Sequence, residues 1–158
     1  MRRQEVGTLQ QVLSARPGPP PVSVYIRGVP RDVQDDLVWF LRLDERQIDG
    51  VRLLAAHGRL SNRTAPALKS ALDALGDAQG AGFVLDLAGV DYISSAGLRA
   101  VEHASQRLRV TGGMLVVCGL QEPVRVAFAL AGLESQVVIE PSGEVAAARV
   151  RQGREAKG

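Results

Sequence analysis

The chain has 158 residues, 46% hydrophobic and 23% charged, an ordinary globular composition at a length that favours one domain with an appended segment. Nineteen basic against seventeen acidic side chains leave a net charge of +2, and the basic residues concentrate only at the two ends. That excludes the basic stripe interleaved with aromatics that marks a nucleic-acid binder. A single cysteine, Cys118, excludes an intramolecular disulfide and a cysteine-rich metal site. No apolar run approaches the roughly 20 residues of a membrane span, and Arg2 and Arg3 have no apolar block behind them as a secretory signal would. Together these features predict a cytoplasmic protein.

Residues 1–36 read as an N-terminal extension, partly flexible. Glu5–Ala15 carries Val6, Leu9, Val12 and Leu13 at helical spacing, and Arg16-Pro17-Gly18-Pro19-Pro20-Pro21 then forms an extended linker. Residues 22–36 are ambiguous, because Val22–Ile26 alternates like a strand and Pro30 breaks the pattern. From Leu37 the chain becomes regular. Leu37–Leu43 and Val51–His57 predict two strands joined by a turn at Gln47–Gly50. Ser61 or Asn62 can cap a helix whose first turn tolerates Pro66, and Ala65, Leu68, Leu72 and Leu75 mark its apolar face.

Phe83–Leu87 is short, apolar and bounded by glycine, as a buried central strand should be. A loop through Asp91–Ile93 leads to Ser94-Ser95. Leu98, Val101, Ala104 or Ser105, and Leu108 then trace a second helix, stopped by Thr111-Gly112-Gly113. Met114–Cys118 is another buried strand. Val124, Ala127, Phe128 and Ala131 face one way on a third helix that Gly132 ends, Val137–Ile139 is the last strand, and Gly143–Val150 a final helix. Residues 151–158 read as a flexible basic tail. The order ββαβαβαβα over residues 37–150 predicts an α/β domain: a largely parallel sheet of four or five strands behind an initial hairpin.

Little in the chain points to catalysis. It has no glycine-rich phosphate-binding motif after a strand. A serine stands at a strand-turn-helix junction, but neither Ser94 nor Ser95 has the flanking glycines of a nucleophile elbow. His57 falls in a strand and His103 in a helix, each without a matched acid nearby in sequence, and two histidines so placed do not suggest a zinc site. What stands out is the serine pair at a helix start. A serine there can cap the helix, an interaction of about 1 kcal/mol. A phosphate there would be tolerated by the free N–H groups and positive dipole end of the first turn, yet would change the electrostatics of an exposed helix end. From the residues alone both readings stand, and they are compatible.

Several segments in order resemble one family. Val51–Leu60, ending Gly58-Arg59-Leu60, resembles its strand ending in Gly-x-Leu, and Ala65-Pro66-Ala67-Leu68 its first helix. Phe83–Leu98, reading FVLDLAGVDYISSAGL, resembles its signature strand, loop and helix start. Gly112–Cys118 resembles the next strand, and Val124 through Leu130-Ala131-Gly132-Leu133 the third helix. The family is the STAS domain, of the anti-sigma factor antagonist kind. The resemblance implies a small sheet with about four helices packed mainly on one side.

It also implies a non-enzymatic regulator without a cofactor. In its unphosphorylated form such a protein binds a serine-kinase anti-sigma factor and frees the sigma factor. The kinase, using ATP and magnesium, phosphorylates a serine that aligns with Ser95, and a serine phosphatase reverses this. The implied partner-binding surface comprises Ser61, Asn62, Thr64, Ser94, Ser95, Ala96, Gly97, Leu98 and Arg99. The family commonly has aspartate where this chain has Ser61 and Ser94. Charge and hydropathy add the expectation of no nucleic acid and no membrane span, and homodimerisation is left open. Two other classes of function are an unphosphorylated STAS scaffold in a signalling assembly or lipid-transport complex, and a small enzyme using the serine turn.

Overall fold

The computed structural model describes residues 41–78 and 82–157. The expected helix over Glu5–Ala15, the proline linker, the ambiguous stretch 22–36 and the start of the expected first strand lie outside the described residues. Strand β1 (Leu41–Ile48) and strand β2 (Val51–Leu60) pair antiparallel, from Leu41 opposite Gly58 to Ile48 opposite Val51. Asp49 and Gly50 alone make the turn, with φ of 52° and 82°. A two-residue hairpin whose twist matches its strands needs left-handed backbone at both positions, which Asp-Gly supplies readily.

Three further strands extend the sheet in parallel. β3 (Phe83–Ile93) pairs with β2, β4 (Leu115–Cys118) with β3, and β5 (Val138–Glu140) with β4, giving the order β1-β2-β3-β4-β5. The crossovers carry helices α1 (Ala65–Ala78), α2 (Ser95–Val110) and α3 (Glu122–Leu130), the last followed by a 3-10 turn at Leu133–Ser135. Helix α4 (Gly143–Lys157) follows β5.

Strand alternation divides the core into two layers. On one face Leu54, Phe83, Leu85, Leu87, Leu115 and Val117 meet Leu68, Leu72 and Leu75 of α1, Val101 and Leu108 of α2, and Val124 and Phe128 of α3. On the other face Val51, Leu53, Val84, Val116 and Cys118 pack against Ala146, Ala147 and Val150 of α4. Three of the four helices among the described residues therefore share one side. The central strands are apolar on both faces, which is why their sequence reads as continuous rather than alternating.

Two expectations are corrected. Asp91–Ile93, expected as a loop, completes β3, because β2 runs on to Leu60 and pairs Arg59 with Tyr92 and Leu60 with Ile93. Residues 151–157, expected as a tail, continue α4. Within them Arg154 donates to the carbonyls of Gly50 (3.3 Å) and Gly82 (3.2 Å), which ties the last turns of the helix to one end of the sheet.

Candidate functional site

The pairing of Leu60 with Ile93 sets two turns side by side at the C-terminal ends of β2 and β3. The Ser94 N–H donates to the Leu60 carbonyl at 2.7 Å. Ser94 is extended (φ −89°, ψ 172°), and its Oγ accepts the Gly97 N–H at 3.2 Å while its carbonyl accepts the Leu98 N–H at 2.9 Å. That is an N-cap, with the serine oxygen supplying an acceptor to an otherwise orphaned donor. Ser94 is buried. Ser95 occupies the first helical position and is exposed, and its hydroxyl makes no hydrogen bond among the described residues. Of the serine pair, Ser94 makes the cap, and Ser95 carries no hydrogen bond through its hydroxyl among the described residues.

The close approach of the two turns depends on Gly97. A Cβ there would lie 2.8 Å from Cγ1 of Ile93 and 3.3 Å from Cβ of Leu60. The facing turn is organised by Thr64, fully buried, whose hydroxyl donates to the Arg59 carbonyl (2.8 Å) and accepts the Ser61 N–H (2.9 Å). Ser61 Oγ accepts the Arg63 N–H at 3.2 Å, and the Ser61 carbonyl accepts the Ala65 N–H at 2.9 Å. Asn62 is exposed.

All nine residues expected at the partner surface therefore lie in two adjoining turns and the first turns of α2. Ser61, Asn62, Ser95, Ala96, Leu98 and Arg99 present surface, while Thr64, Ser94 and Gly97 are buried beneath and shape it.

The surface continues into a groove of about 510 Å3 between α1 and α2, walled by Pro66 and Lys69 on one side and Ala96, Arg99 and His103 on the other. A smaller hollow beside Ser95 is lined by Leu98, Arg99, Glu102, Ala131 and Leu133. Sequence reasoning missed one pair at the same strand ends. The Arg59 guanidinium stacks on Tyr92, 4.4 Å from the ring centroid, and Tyr92 is exposed. Reading Asp91–Ile93 as strand would have placed Tyr92 across from Arg59; reading it as loop hid the pair.

Neither histidine hydrogen-bonds to Ser95. His57 Nε2 lies 3.7 Å from an Asp44 oxygen in the β1–β2 hairpin, and His103 is an exposed residue of α2. Among the described residues no group of three or more histidine, cysteine or acidic side chains could hold a metal ion, and no helix is long and apolar enough to cross a membrane. Cys118 is fully buried under α4. Burial, reinforced by the nearby Asp86 carboxylate, pushes its thiol up to about 12, which disfavours the thiolate at this packed position.

Comparison with known proteins agrees with this architecture. The family model of the STAS domain matches residues 42–146. A Bordetella bronchiseptica protein described as an anti-sigma factor antagonist, BtrV, is 38% identical over 108 residues, 68% of this chain and 93% of its own. The crystal structure of an anti-sigma factor antagonist from Mycobacterium paratuberculosis superposes with a TM-score of 0.64 at 26% identity, covering 70% of this chain and 94% of that one. The Bacillus cell fate determinant SpoIIAA in its phosphorylated form shares the fold, with a TM-score of 0.54 at 16% identity over 69% of this chain and 99% of that one.

Proposed function

As the chain belongs to the STAS domain family, we propose that it acts as an anti-sigma factor antagonist, binding a serine-kinase anti-sigma factor while unphosphorylated and released by phosphorylation of Ser95. The observation that carries this reading is the division of labour between the two serines. Ser94 satisfies the helix end, so the Ser95 hydroxyl can accept a phosphoryl group without removing a structural hydrogen bond. A phosphate at the first helical position would sit against the positive end of the α2 dipole, so the fold would tolerate it. A partner packed on Ala96, Leu98 and the α1–α2 groove would instead meet nearly two negative charges.

The serines at 61 and 94 also fit this reading. Ser94 performs the capping that an aspartate would perform there, since both are strong N-caps. What the substitution removes is charge and not the shape of the helix start. A serine phosphatase would reset the switch, and the protein itself would contribute no catalytic group.

The decisive experiment pairs the protein with its cognate kinase and ATP. Intact-mass measurement is expected to show one added phosphate, absent from Ser95→Ala; equal phosphorylation of both would remove Ser95 from the proposal. By calorimetry Ser95→Asp is expected to bind the kinase at least tenfold more weakly than wild type, and an unchanged affinity would rule out the switch.

The lack of a carboxylate at 61 and 94 favours one second reading, an unphosphorylated scaffold of a signalling assembly or lipid-transport complex. Pull-down of a large assembly or a transporter subunit, in place of a small kinase, would select it.

A further inference from the structure

Ser95 and Arg99 stand four residues apart on α2, at its first and fifth positions. That spacing sets the two Cβ atoms about 5–6 Å apart on one helix face. A long helical side chain also leans back toward the N-terminus, over the residue four before it. The two residues share the hollow of about 210 Å3 whose other walls are Leu98, Glu102, Ala131 and Leu133, and Arg99 is the one basic side chain in that lining. Arg99 lines the α1–α2 groove as well, beside Lys69 and His103. It therefore forms the ridge between the serine hollow and the groove.

From that ridge the side chain can turn either way. Arg99 is exposed, and among the described residues no hydrogen bond or ion pair holds its guanidinium. Glu102 is the one carboxylate lining either depression, and it lies three residues on, against the lean of the arginine. A phosphoryl group on Ser95 would bring nearly two negative charges and three acceptor oxygens to the side toward which the arginine leans. A guanidinium fork takes two such oxygens at once. Leu98 and Leu133 give the hollow apolar walls, which lower the local dielectric and strengthen a charge pair formed there.

Resting on the reading of Ser95 as the phosphorylated residue, we propose that Arg99 is the clamp for that phosphate: its guanidinium folds back over phosphorylated Ser95 and in doing so leaves the α1–α2 groove. Phosphorylation then alters the partner surface twice. It adds charge at the helix start, and it withdraws a cation from the groove one turn away.

The test installs phosphoserine at position 95 of the full chain by codon reassignment, so that no kinase is needed. The phosphorus-31 signal is followed through the second ionisation of the phosphate. A cation held against the dianion favours it, so the midpoint in Arg99→Gln is expected roughly 0.3 of a pH unit above that of wild type, the size of an exposed helical ion pair. Arg99→Lys keeps the charge without the fork and is expected to fall between the two. Arg107→Gln removes the same charge about 12 Å further along α2 and is expected to match wild type. In nitrogen-15 spectra the amides of Ala65 and Lys69, on the α1 wall of the groove, are expected to shift on phosphorylation in wild type and to stay in place in Arg99→Gln. Unchanged circular dichroism shows that each variant is folded.

Equal midpoints in wild type and Arg99→Gln would overturn the clamp, as would an equal rise in Arg107→Gln. Amides of α1 that shift alike in wild type and Arg99→Gln would overturn the withdrawal from the groove. A kinase that left Ser95 unmodified would sink the switch without changing any of these readings, so the two proposals fail separately.

Discussion

Ser94 and Ser95 differ by one position and by almost everything else. The first is buried, extended and bonded at its N–H, carbonyl and hydroxyl; the second is helical and exposed. This asymmetry makes the structural role of Ser94 separable from the signalling role proposed for Ser95. Ser94→Ala is expected to cost about 1 kcal/mol of stability through loss of the cap, and Ser94→Asp to cost almost nothing, as measured by urea unfolding at constant m-value. Equal stability of wild type and Ser94→Ala would mean that the Gly97 N–H finds another partner and that the cap is dispensable.

The sequence could say that a serine at this junction would cap. It could not say which serine, because the answer depends on where β3 ends. With Asp91–Ile93 read as loop, the helix start floats by a residue or two. With Leu60 paired to Ile93 it is fixed.

At the scale of elements, most of the architecture was legible for a local reason. Each helix carries an apolar stripe at 3.6-residue spacing, and each central strand is a bounded apolar run, so periodicity found them. What it missed were the ends, where a long-range partner decides. β3 extends because β2 is there to pair with it, and α4 extends because Arg154 reaches the carbonyls of Gly50 and Gly82, residues far away in sequence. In sequence the stretch Arg151–Lys157 is merely polar, and nothing in its pattern announces an anchor.

That anchor is testable. Hydrogen bonds from a charged donor contribute roughly 1.5–3 kcal/mol when sheltered, and Arg154 is only half-buried. Arg154→Ala is therefore expected to cost about 1 kcal/mol and to speed amide exchange in the last two turns of α4. An unchanged urea midpoint together with unchanged exchange would return residues 151–157 to the status of a tail.

At the scale of the whole molecule, the sheet carries the serine surface at one end and a two-layered core along its faces. The C-terminal ends of β2 and β3 carry Ser95 and the α1–α2 groove. Behind that surface lies a core whose integrity one native probe reports. Cys118 ends β4, in the inner part of the sheet, with α4 over it and no exposed surface. To reach it, a reagent must displace α4 or unfold the sheet.

A thiol-specific disulfide reagent is thus expected to leave Cys118 unlabelled near neutral pH. Its labelling rate is expected to rise with urea in proportion to the unfolded fraction. Rapid labelling of the native protein would show that α4 opens locally.

The same thiol sets a direction for alkaline stability. Its pKa is 9.0 for the ordinary group and about 12 in the fold, so the native state holds the proton more tightly than the unfolded chain does. Its contribution is fully present below about pH 9 and is lost progressively as the pH rises toward 12. Cys118→Ala removes that term at the cost of a small cavity. The variant is expected to be less stable than wild type at pH 7 and to lose less stability than wild type between pH 9 and 11. Parallel pH profiles for the two proteins would show that Cys118 ionisation plays no part in alkaline unfolding.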